Sequence, residues 1–259
     1  MEYIEFIILG ILQGLTEFLP ISSSGHILMG RKFFSISGNG LLIEIVLHLG
    51  TLFSILVFWY KDIIDEFKIF LGGNKKFLYS IIIGTIPAAT VGLLLNDFIK
   101  TTFFNIESMN YLALNYILLT IVIFSSKYIT ENNKKEVIYK YALLIGLAQS
   151  IAILPGFSRS GLTIVMAMWL GLSFRSAAKF SFLLAIPILI FASIDSIYEY
   201  ALNQTYNTDF EFSLMLGFLA SFFSGYLSLV LLKNVIGGKK FWYFSIYCLL
   251  IGVILFYGL

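Results

Sequence analysis

The chain has 259 residues, of which 59% are hydrophobic and 12% charged, with a formal net charge of +2 and a mean hydropathy of +0.91. A soluble globular domain is about 45–50% apolar and about 25% charged, so a soluble enzyme, a disordered tail and a secreted disulfide module are excluded together. The composition is that of an all-α polytopic membrane protein. Its one cysteine, Cys248, sits in an apolar run and is expected to be a small buried hydrophobe. The N-terminus is acidic (Glu2, Glu5) and shows no signal-peptide pattern.

In chain order, the first apolar region, 2–35, is interrupted by Leu19-Pro20-Ile21-Ser22-Ser23-Ser24-Gly25, with a helix predicted over 26–33. A span follows at 41–60, then a loop with Lys61, Lys68, Lys75 and Lys76 that reads as a solvated turn. Spans are predicted at 77–96 and 111–126, separated by a segment whose one basic residue is Lys100. A second turn, 127–140, carries Lys127, Lys134, Lys135 and Lys140. The region 141–174 is interrupted by Pro155-Gly156-Phe157-Ser158-Arg159-Ser160-Gly161, with a helix predicted over 162–172. Spans at 179–198, 212–232 and 241–258 complete the chain, the last two joined by a loop with Lys233, Lys239 and Lys240. Trp59, Tyr60, Trp242 and Tyr243 fall at span ends, where aromatic rings anchor to the interface.

Arms of about ten residues rise ~15 Å, half of a ~30 Å hydrocarbon core. The two broken regions are therefore expected to be re-entrant helical hairpins. Lysine-rich loops face the cytoplasm, which puts 61–76, 127–140 and 233–240 inside and both termini outside. Arg31 and Lys32 run against that trend. The first hairpin then enters from the outer face and the second from the cytoplasmic face.

The hairpins also match in sequence. Gly10 precedes Gln13 by three residues and Gly146 precedes Gln149 by three; Gln13 precedes Ser22 by nine and Gln149 precedes Ser158 by nine. Each hairpin is followed by three spans, an odd number, so one membrane domain (1–259) is expected to consist of two inverted repeats, 1–126 and 137–259. Broken helices of such repeats meet near the midplane, where unwound backbone is tolerated against protein or a wet cavity.

Ionisable residues within the apolar segments are Glu17, His26, Glu44, His48, Arg159 and Asp195. Such residues are costly in lipid and default to a functional reading. Glu17, His26 and Arg159 cluster at the hairpin tips; for Glu44 and His48 a plain interhelical hydrogen bond is an equal reading, and for Asp195 the better one. Gln13 and Glu17 are spaced i, i+4, share a helix face and offer hard oxygens suited to Mg²⁺ or Ca²⁺. Gly10 and Gly14 form a small-xxx-small pair that permits close helix approach. The same spacing lets Glu44 orient His48. Ser22, Ser23, Ser24 and Gly25 lead into His26; Ser158, Arg159, Ser160 and Thr163 repeat the device. Two helix N-termini, several hydroxyls, a His, an acid and an Arg whose planar fork matches phosphate oxygens describe a phosphate site. No zinc set and no Walker-type loop is present.

The stretch from Gln13 to His26 resembles the first signature of the bacterial undecaprenyl-diphosphate phosphatases, the bacitracin-resistance family, and Pro155 to Thr163 looks like their second; the span with His48-Leu49-Gly50-Thr51 is also similar. The resemblance covers essentially the whole chain. It implies a bacterial plasma-membrane enzyme that removes the terminal phosphate of undecaprenyl diphosphate and so recycles the lipid carrier for cell-wall synthesis. It also implies a divalent cation, Mg²⁺ with Ca²⁺ as the alternative, held by Glu17 with Gln13. The essential His, motif Ser and phosphate-binding Arg fall on His26, Ser23 and Arg159, with Glu17 as the acid and Ser22, Ser24, Gly25, Gln149, Ser158, Ser160 and Thr163 around the substrate. The family's acidic motif has Glu or Gln at the place of Gln13. The active site is expected to open outward. The partners implied are a polyprenyl diphosphate and membrane lipids, with no nucleic acid and a homodimer left open.

The nucleophile stays open among Ser23, His26 and water. Two rival readings remain: a carrier or flippase of an anionic lipid, against which His26 is the discriminator because a carrier needs no base or nucleophile beside its Arg, and a phosphatidic-acid-type phosphatase, which needs a further His that does not occur after His48.

Overall fold

The computed structural model describes residues 2–36, 40–103, 109–130, 139–203, 208–235 and 238–258. Lys134, Lys135 and both chain ends lie outside them, as do the side chains of Lys100, Asp195 and Lys239. The described chain is helical: α1 (Glu2–Glu17), α2 (Ser23–Phe33), α3 (Gly40–Phe58), α4 (Tyr60–Leu71), α5 (Lys76–Leu94), α6 (Asn96–Phe103), α7 (Met109–Ser125), α8 (Tyr139–Ile151), α9 (Arg159–Trp169), α10 (Phe174–Asn203), α11 (Thr208–Val235) and α12 (Phe244–Gly258).

Five segments are long and apolar enough to cross a membrane: Lys76–Leu94, Met109–Tyr128, Phe174–Ile194, Phe210–Lys233 and Lys240–Gly258. A sixth candidate is Leu42–Phe58, which meets the same test only when taken with Tyr60–Leu71, bent from it by 69°. These match the six predicted spans. The outward faces of the spans carry exposed Ile82, Ile86, Ile121, Phe223, Leu250 and Ile254, the surface a lipid solvent tolerates and water does not.

Helix α1 packs along α11, which also holds α3; α8 packs on α5, α7 on α12, and α3 meets α10. Small residues set these approaches. A Cβ on Gly14 would overlap Ser224 and crowd Gly225 and Ser221, and one on Gly10 would overlap Gly217. The predicted small-residue contact of α1 is therefore found, with α11 as its partner. The α5–α8 crossing is backbone against backbone, since a Cβ on Gly146 would overlap the Gly84 carbonyl. Gly146→Ala is expected to lower stability by about 1–3 kcal/mol, the usual cost of overpacking. Gly92→Ala on α5, where an added Cβ meets nothing within 4 Å, should not. Thermal unfolding of both variants in detergent checks this.

Three expectations are corrected. The lysine-containing segment after α3 is not a turn over 61–71 but helix α4, because Ile63, Ile64, Phe67, Phe70 and Leu71 recur on one helical face. That pattern suits a helix lying along an interface. Lys179 of α10 ties α4 down, 2.8 Å from Asp62 and 3.2 Å from Glu66. The helices after the two breaks start three residues earlier than predicted, at Ser23 and Arg159, because Ser22 and Ser158 cap them by accepting from the Gly25 and Gly161 amides. Arg31 is no topology signal: it is buried and faces Glu44, with Nη1 3.7 Å from Oε1.

Candidate active site

The break between α1 and α2 is held in an unusual conformation. Ser22 has φ 65, a left-handed value rare for a residue with a side chain. Its carbonyl accepts from the Tyr116 hydroxyl at 3.2 Å and faces His26 Nδ1 at 2.7 Å. The break between α8 and α9 turns at Gly156, φ 86, where a Cβ would press on Asn115 and Leu112. Asn115 Nδ2 donates to the Pro155 carbonyl at 2.7 Å. The two breaks meet. Ser160 Oγ donates to the Leu19 carbonyl at 3.1 Å and Ser158 Oγ to the same oxygen at 3.4 Å. Buried, free Cys248 lies 3.5 Å from the Pro20 carbonyl, as a small core residue does.

Glu17, the last residue of α1, stands at this junction and is 6% exposed. One carboxylate oxygen pairs with Arg159 Nη2. The other accepts from Ser23 Oγ, from Gln13 Nε2 at 3.1 Å, and lies 3.4 Å from His48 Nε2. Arg159 opens α9 and Ser23 opens α2, so two helix N-termini, each with unpaired N–H groups and partial positive charge, converge on one carboxylate and one guanidinium. A cavity of about 300 Å³ opens beside them. Its polar wall is Glu17, Ser23, Ser24 and His48, then Glu44, Gln149, Ser158 and Arg159. Apart from Ser193, the remainder is apolar, from Ala88, Ala89 and Gly92 of α5 to Ile188, Leu189 and Phe191 of α10.

Of the predicted residues, the structure brings Glu17, Ser23, Ser24, Gln149, Ser158 and Arg159 to the cavity. Gln149 is 2% exposed and neither amide atom has a hydrogen-bond partner, a state that calls for a ligand. Five others are turned to supporting contacts instead of the cavity wall. Ser22 caps α2, and Gly25 packs against Tyr116, where a Cβ would collide with the ring. Ser160 bonds Leu19, and Thr163 bonds the Arg159 carbonyl and Ser181. His26 is the largest departure: its ring stacks on Tyr247, with Nε2 2.7 Å from that hydroxyl, while Nδ1 faces the Ser22 carbonyl. Both ring nitrogens are thus engaged away from the cavity.

The imidazole at the cavity is His48. Its Nδ1 is 2.7 Å from the backbone carbonyl of Glu44, and its Nε2 faces Glu17. Glu44 lines the cavity and faces Arg31. The signal for both was present, as ionisable residues one turn apart inside a span. Nothing in the sequence singled out Tyr116 and Tyr247, which are two among many aromatics.

Among the described residues no group of three or more His, Cys, Asp and Glu is placed to hold a metal ion. The predicted pair is partly suited. Gln13 Oε1 is buried with no hydrogen-bond partner one turn from Glu17, an orphan oxygen of the kind a hard cation takes. Mg²⁺ keeps waters and uses one or two carboxylates together with substrate phosphates. Gln13 itself does not line the cavity and turns Nε2 to Glu17, so a cation held by this pair would depend on further oxygens from an anionic substrate.

The family model described as bacitracin resistance protein BacA matches residues 6–254. Among curated proteins, an undecaprenyl-diphosphatase of Methanosphaera stadtmanae is 36% identical over 98% of this chain and 97% of its own length. One of Thermosipho africanus is 39% identical over 97% of this chain and 98% of its own length. One of Bacteroides fragilis is 37% identical over 98% of this chain and 97% of its own length. With end-to-end agreement of this kind and both broken-helix tips inside the matched region, the chain belongs to the bacitracin resistance protein BacA family.

Proposed function

We infer that the protein is an undecaprenyl-diphosphatase: a multi-pass membrane enzyme that hydrolyses the phosphoanhydride of undecaprenyl diphosphate to undecaprenyl phosphate and inorganic phosphate. One observation carries the reading. A buried carboxylate, Glu17, accepts a hydrogen bond from a serine hydroxyl and is paired with an arginine, where two helix N-termini meet a cavity. A carrier needs a cation for its anion but has no use for a hydroxyl held on a base, so the arrangement favours chemistry over transport.

The steps follow from the contacts. Arg159 and the N-termini of α2 and α9 bind the terminal phosphoryl oxygens and offset the charge that spreads over them. Ser23 Oγ, its proton passing to Glu17, attacks the terminal phosphorus, and the bond from that phosphorus to the bridging oxygen breaks. Undecaprenyl phosphate leaves with the electron pair. Glu17 hands that proton on to the departing phosphate oxygen; water then gives a proton to Glu17 as it attacks the phosphoserine, and Ser23 Oγ, leaving with the P–O electron pair, takes that proton back as inorganic phosphate is freed. His48 and Gln13 hold the Glu17 carboxylate in line, while Ser24, Ser158 and Gln149 face the diphosphate. His26 acts through Ser22, whose strained carbonyl it and Tyr116 grip, and so fixes Ser23. Glu17 and Gln13 are the residues that would hold a divalent cation, Mg²⁺ by donor type with Ca²⁺ as the alternative; bound there, it would neutralise charge on the diphosphate.

The architecture is read as two inverted repeats, 1–126 and 137–259, each a re-entrant hairpin (α1–α2, α8–α9) followed by three spans. Reciprocal packing supports this. Helix α1 lies on α11 and α8 on α5, so each hairpin sits on the second span of the other half, while α3 meets α10 and α7 meets α12. The cavity lies toward the ends of α5 and α10 that lead into lysine-poor connections, which supports an opening on the outer side.

Phosphate release from undecaprenyl diphosphate by the purified protein in detergent tests the reading. Release is expected with Mg²⁺, is expected to fall to background with a chelator, and is expected to return when Mg²⁺ is restored. Retained lipid binding with no release would overturn the enzyme in favour of a carrier; release indifferent to chelator would remove the cation.

A further inference from the structure

A second cavity, of about 590 Å³, runs between α4, α5 and α10. It is lined by Phe67 of α4, by Phe77, Ile82 and Ile86 of α5, and by Leu183 and Ile186 of α10. Ala89 belongs to the walls of both this groove and the polar cavity. On α5 the groove takes residues 77–89 and the cavity 88–93; on α10 the groove takes 183–190 and the cavity 188–193. The two adjoin at Ala89, their one shared wall residue, so the groove continues the line of the cavity along α5. From 77 to 93 that line covers ~24 Å at ~1.5 Å per residue, most of the depth of a hydrocarbon core. Its chemistry is divided: every charged group of the polar cavity is at one end, and the other end is apolar, but for Thr85, up to Glu66 and Asn74. The pairing of Lys179 with Asp62 and Glu66 fastens α4 at that far end.

We propose that this groove seats the polyprenyl chain of the substrate, with the diphosphate at Glu17 and Arg159 and the chain passing Ala89 toward α4. The proposal rests on the phosphatase reading. Its physical content is alignment. A prenyl chain is already in hydrocarbon when it lies in the bilayer, so moving it into an apolar groove adds little affinity. What the groove supplies is register: a chain held along α5 and α10 delivers its head group to Ser23 in one orientation, and misplacement by about 1 Å costs about a hundredfold in rate. The small residues Ala88, Ala89 and Gly92 leave room for a branched chain where groove and cavity join.

The test uses the whole protein in detergent and two substrates, undecaprenyl diphosphate and a three-isoprene diphosphate too short to reach the far end. Ile82→Trp fills the groove at a lipid-exposed position that tolerates bulk. It is expected to lower the ratio of kcat/KM for the long over the short substrate about tenfold. A polyprenyl diphosphate with a diazirine near the chain end is expected to label peptides within 77–89 and 183–190, and undecaprenyl diphosphate, but not phospholipid, to compete. An unchanged ratio, labelling elsewhere, or competition by phospholipid would overturn the proposal and leave the groove to ordinary membrane lipid. Failure of the wild type to release phosphate from either substrate would instead overturn the phosphatase reading, a different outcome from mislabelling.

Discussion

Arg159→Ala is expected to lower kcat for phosphate release by about 10³–10⁵-fold, the range found for arginines that meet a transferring phosphoryl group. The same change should destabilise the protein by about 3–5 kcal/mol, because it strands a buried carboxylate without its cation. Glu17 is 6% exposed and its other partners, Gln13, Ser23 and His48, include no fixed charge. The two effects separate in the double variant. Glu17→Gln added to Arg159→Ala removes the stranded charge, so thermal stability in detergent should recover while activity stays lost. Arg159→Lys should keep much of the stability and little of the rate, since an ammonium cannot present the planar fork. If Arg159→Ala unfolds no more easily than wild type, the Glu17–Arg159 pair is not the keystone described above.

Ser23→Ala is the second large effect. Loss of a nucleophile held on its base costs about 10⁴–10⁶-fold in kcat. The fold should be nearly unaffected, because Glu17 keeps Arg159, Gln13 and His48, and the lost hydroxyl leaves no charge behind. Rapid quench with substrate labelled in the terminal phosphate should trap a phosphoserine in the wild type and none in Ser23→Ala. A variant that retains activity within tenfold would hand the attack to water, with Glu17 as its base.

The six spans were legible because lipid demands long apolar runs, and hydropathy reads them directly. The broken helices were legible because Pro20 and Pro155 sit amid serine and glycine at matched spacing. Helix α4 escaped because its apolar residues are interleaved with Lys61, Asp62, Asp65, Glu66 and Lys68, so that charge hid the 3.6-residue period. The sequence placed Glu17 and Ser23 at one broken tip and Arg159 at the other, and the structure brings all three to one cavity. His26 is close to the motif in sequence, but its ring is engaged by Tyr116 and Tyr247 from α7 and α12, contacts that its neighbours in the chain do not announce. The converse holds for His48. It lies on a different helix, and only packing of α3 beside α1 brings it to Glu17. A left-handed serine such as Ser22 cannot be read from its type at all.

The meeting of the two tips bears on how the protein is made. Glu17 and its arginine are 142 residues apart in the chain, and the serines that satisfy the Leu19 carbonyl come from the same distant segment. During synthesis the first hairpin therefore reaches the membrane with its acid unpaired and its unwound carbonyl unsatisfied, a condition hydrocarbon does not tolerate. Until α9 is made, the amino-terminal half has only Gln13, Ser23 and His48 to hold its buried acid. That interval is the stage at which quality-control proteases would find the chain most vulnerable.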